Sequence, residues 1–468
     1  MQHKKVMGLR DIVLYTVSAM LFMDQIAMAA SIGATSLFWW GYVLIFLFVP
    51  LSMITSELGT AFPTNGGIST WVREAFGPRW GARVSWLYWV CNLIWMPSVY
   101  ILFAGMFSTM FFPELGLWGQ VFIGMGLAAF TAYFVTVPMN VGKWIPSIGA
   151  GLKLICVVVL AVGGIRYGLT YGFANDLSWG SLVPSSGYAI AAMGIMVYGV
   201  CGTEVASSCA DEMSNPKRDI PRGLLISGVI VAAFNVLGTL GVLAAIPAEE
   251  AEITSIFTLS LYNIFADVPG GDFIATTIAC FVLFTFFTNM VTWSMGSNRV
   301  AVDCANSGEF PKVMGIEHPK HKTPVGSAII GAIVSCSILA AYGAMATTAE
   351  DLFWALLAFF AIILLMSYIA MVAAYGRLRF SSNAERPYKM PLSNTGAAIV
   401  AGFVGVHMFL AMVFFVYVPG EPIYWPFVGQ VLAGVLLTVG YGEYMIRSQE
   451  KKRLVTLEDE LNNAAVSS

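Results

Sequence analysis

Ser56-Glu-Leu-Gly-Thr-Ala-Phe-Pro-Thr-Asn-Gly-Gly-Ile68 sets an acid, a proline and a glycine pair directly after a long apolar run. Gly66 and Gly67 permit a turn that other residues resist. Ile68 to Phe76 then reads as a short amphipathic stretch lying along a membrane surface. Glu57, Pro63 and the glycines either shape this junction or take a direct part in gating.

Outward from this junction the chain is apolar almost throughout. Its 468 residues are 58% hydrophobic and 11% charged, with a mean hydropathy of +0.76, which places it in a membrane. Crossing ~30 Å of hydrocarbon takes roughly 20 apolar residues. The pattern predicts twelve such spans: Ile12 to Ser31, Trp39 to Ser56, Ala82 to Met106, Trp118 to Val137, Ile145 to Ile165, Ser186 to Cys209, Leu224 to Ile246, Phe273 to Gly296, Val325 to Met345, Leu352 to Gly376, Ala397 to Val418 and Tyr424 to Met445. The runs are continuous, unlike the short alternating segments of a barrel, and helices satisfy their own backbone groups in lipid. The predicted fold class is therefore an all-α integral membrane protein. Met1-Gln-His-Lys-Lys5 lacks the apolar core of a cleaved signal, so span 1 is expected to stay. Seven cysteines are scattered with no C-x-x-C pair or Cys/His cluster, which argues against a disulfide framework or a metal site. No cofactor is expected.

Charge sets the orientation. With Lys4, Lys5 and Arg10 in the cytoplasm, twelve spans also put Arg73, Arg79, Arg83, Lys143, Lys217, Arg218, Arg222 and the later basic clusters inside, leaving only Arg166 outside. The outer loops carry Glu114, Asp176, Glu249, Glu250, Glu252 and Asp267 among other acids. This asymmetry supports the count and predicts a plasma (inner) membrane protein with both termini cytoplasmic. A net charge of -3 does not point to nucleic acid, because the basic residues are distributed along one membrane face. The tail after Arg447 either sets topology as a solvated segment or touches anionic lipid.

Two later segments complete a set with the first: Asn215-Pro-Lys-Arg-Asp-Ile-Pro-Arg222, and Asn298-Arg-Val-Ala-Val-Asp-Cys-Ala-Asn-Ser-Gly-Glu-Phe-Pro-Lys312 followed by Lys322-Thr-Pro324. In this order the three resemble the amino acid-polyamine-organocation superfamily of secondary transporters, over about residues 8 to 380. The resemblance implies a five-plus-five inverted repeat of the leucine-transporter type, with spans 1 and 6 equivalent and interrupted around a midplane site. Residues 1–380 would form this core, and 381–468 would add spans 11 and 12 and a short tail within one structural domain. Asn215 to Pro221 reads as a rigid, hydrated connection entering span 7. Within the large outer loop, Ile256 to Phe265 reads as a lid or a surface helix.

A charge inside a membrane costs ~2.5 to 3.5 kcal/mol at a helix centre, so Asp24, Lys153 and Glu204 are functional candidates. Asp24 lies midway along span 1 in Leu21-Phe-Met-Asp-Gln-Ile-Ala27. Many members of the superfamily break the helix there with a glycine-rich run that holds a substrate carboxylate on free N–H groups. This chain has no glycine between Gly8 and Gly33. A carboxylate there would attract an ammonium, or it would cap the second half of the broken helix. Met23, Gln25 and Ile26 flank it as substrate-binding candidates.

Span 6 contains Tyr198-Gly-Val-Cys-Gly-Thr-Glu204, where Gly199 and Gly202 weaken the helix and Cys201 lies between them. By resemblance, Tyr198 would close over substrate and Glu204 would handle protons or gate. Packing and a structural pairing are the alternatives. Lys153 matches a lysine of sodium-independent members that resembles a built-in cation, and the alternative is a side chain snorkelling to the interface. Trp293 resembles a cavity tryptophan of arginine/agmatine exchangers and offers cation-π attraction. Cys91 and Trp95 match lining positions more weakly, and His407 reads as a helix-contact residue.

These readings converge on a secondary transporter that moves amino acids or related amines by alternating access. It would be sodium-independent, driven by protons or an exchange substrate, and a monomer or homodimer in the bilayer. Asp24 favours a polyamine, a biogenic amine or a cationic amino acid, and a neutral or acidic amino acid permease, such as a glutamate/GABA-type antiporter, is the opposing reading. A transport-incompetent sensor is disfavoured by the lack of a signalling extension. No Ser/His/Asp set, H-E-x-x-H or Walker loop points to an enzyme.

Overall fold

The computed structural model describes residues 8–63, 66–137, 144–205, 213 and 215–467. Thr64, Asn65, Lys4, Lys5, Lys143 and Cys209, invoked above, lie outside the described residues. Helices α1 (Leu9–Met20) and α2 (Met23–Ile32) are followed by α3 (Thr35–Ala61), α4 (Gly67–Phe76), α5 (Pro78–Phe111), α6 (Leu117–Thr136) and α7 (Trp144–Tyr171). Then come α8 (Gly187–Ala191), α9 (Met193–Gly199), α10 (Pro216–Ala245), α11 (Ile256–Phe265), α12 (Gly271–Asn306), α13 (Val325–Gly343), α14 (Ala349–Ser381), α15 (Asn394–Phe414) and α16 (Trp425–Ser467). Among the described residues there is no strand; Glu317 and Pro324 pair in an isolated bridge. Eleven helical stretches are long and apolar enough to cross a membrane, one of them running through α8 and α9 to Val205. The predicted first span is two helices end to end, of 12 and 10 residues, parted at Leu21 and Phe22.

The helices sort by enclosure. The most apolar windows of α5 and α14 are 89% and 83% buried, whereas those of α15 and α16 are 28% and 22% buried, so α5 and α14 form the centre and the last two helices the periphery. Close approach between α7 and α10 rests on Gly164 and Gly241: a Cβ on Gly164 would lie 2.0 Å from the Gly241 carbonyl oxygen. Small residues allow such backbone contact where lipid offers no hydrophobic drive for association.

The junction after α3 follows its sequence closely. Gly67 adopts a positive φ of 49°, and α4 buries Ile68, Trp71, Val72 and Ala75 at i, i+3, i+4 and i+7. The Asn215 to Pro221 connection, by contrast, is already helical. Pro216 takes the first helical position, where its missing N–H costs nothing, Asp219 N–H bonds to Asn215 O at 2.9 Å, and Asp219 is buried. Residues Ile256 to Phe265 form α11, which buries Ile256, Phe257, Leu261 and Ile264. His407 Nε2 is hydrogen-bonded with the Tyr42 hydroxyl at 2.8 Å, joining α15 to α3.

Glu57 does more than shape a loop. It lies in the last turns of α3 with its side chain fully shielded, and its carboxylate accepts from Arg379, from Arg386 Nη1 at 2.9 Å, from Tyr375 Oη at 3.0 Å and from Met390 N at 2.9 Å. Arg379 donates in turn to the carbonyls of Met390 and Leu392, at 3.2 and 2.8 Å. This network ties the end of α3 to α14 and to the segment that follows it. Removing one member of a buried charge network strands the others at a cost of roughly 3–5 kcal/mol. Glu57→Gln is expected to lower the thermal unfolding midpoint in detergent sharply, and a midpoint within a degree of the wild type would show that the network does not hold these helices together.

Candidate functional site

Two interruptions of the helical ladder meet near the centre of the bundle, and they are built differently. Between α1 and α2 the backbone is extended at Leu21 (φ −88°, ψ 107°) and Phe22 (φ −119°, ψ 136°). No glycine is used. Met20, Leu21, Phe22 and Met23 are all buried, and burying a large apolar side chain contributes roughly 1.5–3 kcal/mol, which offsets the local loss of helix. After α9 the break turns on Gly202, at φ 114°, a left-handed conformation that other residues resist. A Cβ there would stand 3.0 Å from the Met20 side chain, so the two breaks touch.

Between them lies a small cavity. α5 contributes Tyr88, Cys91, Asn92 and Trp95, spaced i, i+3, i+4 and i+7 on one helical face. α14 contributes Phe360, Leu364 and Tyr368 at four-residue intervals. Phe22 and Gln25 come from the first break, Tyr198, Cys201, Gly202 and Glu204 from the second, and Trp293 from α12. Half of the lining residues are aromatic. Trp95 and Trp293 meet edge to face at 5.8 Å, and Tyr198 meets Phe360 in the same manner at 5.3 Å.

The polar groups fall into two sets. At one end, Tyr88 Oη donates to Glu204 Oε1 at 2.7 Å, Tyr368 Oη donates to Glu204 Oε2, and the Gly202 N–H donates to Tyr368 Oη at 2.6 Å. One tyrosine hydroxyl thus satisfies both the freed backbone of the second break and a buried carboxylate. The other set surrounds Asp24, in the first turn of α2, where the helix dipole favours an anion. Asp24 is 2% exposed, yet among the described residues neither carboxylate oxygen has a hydrogen-bond partner. The N–H groups of Asp24 and Gln25 and the Trp95 indole lie against it without reaching ordinary hydrogen-bond geometry. The Gln25 amide oxygen is likewise buried and unpartnered among the described residues. Lys153, also 2% exposed, is buried rather than snorkelling. Its Nζ stands 5.7 Å from the centroid of the Phe22 ring, and its charge attracts that of Asp24.

Of the residues singled out from sequence, Gln25, Cys91, Trp95, Tyr198, Cys201, Gly202, Glu204 and Trp293 share this cavity. Asp24 and Lys153 are not among its lining residues, and Lys153 Nζ stands near the ring of Phe22, which is. Met23 is enclosed in the core, Ile26 packs on Gly238 of α10, and Gly199 packs against Trp40 and Gln25. Sequence reasoning missed Phe22, Tyr88, Asn92, Phe360, Leu364 and Tyr368. The face repeat on α5 and the four-residue repeat on α14 were visible, but in a helix apolar all round nothing marks which face turns inward.

The chain matches the amino acid permease family model over residues 7–438. It belongs to the amino acid permease family. The permease is 30% identical to the probable agmatine/putrescine antiporter of Lactococcus lactis over 412 residues, covering 88% of this chain and 86% of that protein. It is 28% identical to the cadaverine/lysine antiporter of Escherichia coli over 296 residues, 61% of this chain and 63% of that protein. A glutamate/gamma-aminobutyrate antiporter of L. lactis is 24% identical over 398 residues, 80% of this chain and 76% of that protein. The permease is thus a multi-pass integral membrane protein of a transporter family.

Tyr368→Phe removes the hydroxyl that accepts from the Gly202 N–H and donates to Glu204 in a buried site, a loss worth roughly 1–3 kcal/mol. We expect a lower melting midpoint and slower transport in proteoliposomes; wild-type values for both would show that the hydroxyl is dispensable.

Proposed function

We propose that the permease exchanges small protonated amines across the plasma membrane by alternating access, with Asp24 holding the substrate ammonium. The observation that carries this reading is the Asp24 carboxylate: buried, unpartnered at both oxygens among the described residues, and set at a helix break beside an aromatic cavity. The N–H groups of Asp24 and Gln25 lie against this carboxylate, but among the described residues they make no hydrogen bond of ordinary geometry to it, which favours an ammonium ligand over a cap. Unit charges 4 Å apart attract by about 4 kcal/mol at an effective dielectric of 20, and the faces of Trp95 and Trp293 can add ~0.5–2 kcal/mol of cation-π attraction. Gln25, Tyr198, Cys91, Cys201 and Gly202 would surround the rest of the substrate, and Glu204 would close the far end with Tyr88 and Tyr368. Relatives named for agmatine, putrescine and cadaverine support the amine class.

The same reading takes α1 and α2 as one broken span, making twelve with the eleven long stretches, and pairs that span with the broken α9 segment as equivalent members of a five-plus-five inverted repeat. It places residues 1–380 in the transport core, adds α15 and α16 outside it, and keeps both termini in the cytoplasm. The gradient of an exchanged solute or of protons would drive the cycle.

A neutral or acidic amino acid remains the second reading, favoured by the glutamate/gamma-aminobutyrate relative. Proteoliposomes loaded in turn with putrescine, agmatine, arginine, glutamate and alanine separate the two. We expect labelled putrescine or agmatine to enter only against an internal amine, and Asp24→Asn to raise KM by about 100-fold or more, given the Coulomb term above. Glutamate or alanine uptake that survives Asp24→Asn would overturn the amine reading.

A further inference from the structure

Gln25 carries an unmet acceptor into the cavity. It is 2% exposed and lies among the lining residues, and among the described residues its Oε1 accepts no hydrogen bond. The carboxylate of the same wall is already engaged, since Glu204 accepts the hydroxyls of Tyr88 and Tyr368. Gly199 packs against the Gln25 amide: a Cβ at Gly199 would lie 3.7 Å from Gln25 Cδ and 3.0 Å from the Trp40 ring. The wall also limits what can satisfy this oxygen. None of the lining residues is Lys, Arg or His, and the one acid among them is Glu204. A substrate carboxylate here would be buried without a lining counter-charge, which is costly, and it would offer the Gln25 oxygen no proton. An ammonium or a guanidinium offers one, and the rings of Trp95 and Trp293 in the same wall attract cations.

We propose that Gln25 reads a second nitrogen of the substrate, so that the site selects amines with two nitrogen groups and no carboxylate: diamines and guanidino amines. This rests on the reading in which Asp24 holds the first ammonium. Asp24 and Gln25 are consecutive in the first turn of α2, where successive side chains point about 100° apart. One molecule with a nitrogen at each end therefore meets both groups, and its methylenes lie along the aromatic wall. A monoamine satisfies Asp24 and leaves the Gln25 oxygen buried and unpaired, which is unfavourable.

Binding to the purified full-length protein in nanodiscs tests this, with Kd measured separately for putrescine, for n-butylamine, which lacks the second nitrogen, and for ornithine, which is putrescine with a carboxylate added. Wild type is expected to bind putrescine about tenfold or more tightly than n-butylamine, the worth of a hydrogen bond from a charged donor, and to bind ornithine more weakly than putrescine by at least a similar factor. Gln25→Met, close in length and without the amide, should bring the ratio of n-butylamine to putrescine Kd to near one. Gln25→Glu, which adds a charge, should widen it. A loosened site would weaken both amines together, so the ratio isolates what Gln25 does. Wild type that binds n-butylamine or ornithine as tightly as putrescine overturns the proposal, as does a folded Gln25→Met that keeps the wild-type ratio. If Gln25→Met does not fold, Gln25→Glu decides: a wider ratio supports the proposal and an unchanged or narrower one overturns it. Wild type that binds neither amine removes the amine reading and this proposal together, whereas equal binding of the two amines removes the role of Gln25 alone.

Discussion

Backbone that leaves the helical ladder at membrane depth must be sheltered by protein, because hydrocarbon offers its N–H and C=O groups no partners. The interruptions at Leu21–Phe22 and at Val200–Gly202 both obey this constraint, and much of the bundle is arranged around it. α5 and α14 are the most enclosed long helices, and they supply the aromatic wall and the tyrosines that face the breaks. At the second break the shelter is specific, since the Tyr368 hydroxyl takes the Gly202 N–H. At the first it is mainly apolar, since Met20, Leu21, Phe22 and Met23 are packed on all sides. A cavity at the meeting point follows, because two helices that stop short of one another leave space between their ends.

Glu57, Glu204 and Asp24 are all buried carboxylates of this bundle, and their surroundings separate structure from chemistry. Glu57 is saturated by two arginines, a tyrosine and a backbone N–H. Nothing is left for a ligand, so its work is to join helices. Glu204 accepts two tyrosine hydroxyls, one of which also serves the backbone of the break, and it can respond to movement of that break. Asp24 has a neighbouring cation and a helix N-terminus but no hydrogen bond among the described residues. A buried acceptor in that condition carries a standing desolvation cost, which, under the proposed function, a substrate ammonium would relieve. The gradation from saturated to open runs from the end of α3 to the cavity edge.

Part of the site was legible because the membrane makes charge conspicuous. Asp24, Lys153 and Glu204 stood out in apolar runs, and the glycines of Tyr198 to Glu204 marked one break. The other break had no such mark, since its extended residues are a leucine and a phenylalanine that favour no break by themselves. Phe22 was passed over for the same reason, although it lines the cavity and contacts Trp95, Trp293 and Lys153. Tyr368 was passed over because an apolar helix such as α14 shows no preferred face in its composition. The Asn215 segment misled in the other direction: its prolines suggested a loop, yet Pro216 is a natural first residue of a helix.

What the sequence by itself determined was helix and membrane, because both depend on a short-range property: runs of apolar residues long enough to span. Tertiary structure alone decided which of these helices stand at the centre, which faces meet, and which buried carboxylate is left open. Those outcomes depend on partners hundreds of residues away, as Glu57 depends on Arg379 and Arg386 and Glu204 on Tyr88 and Tyr368. A carboxylate reads identically in the sequence whether or not it is saturated; only the groups folded against it make the difference.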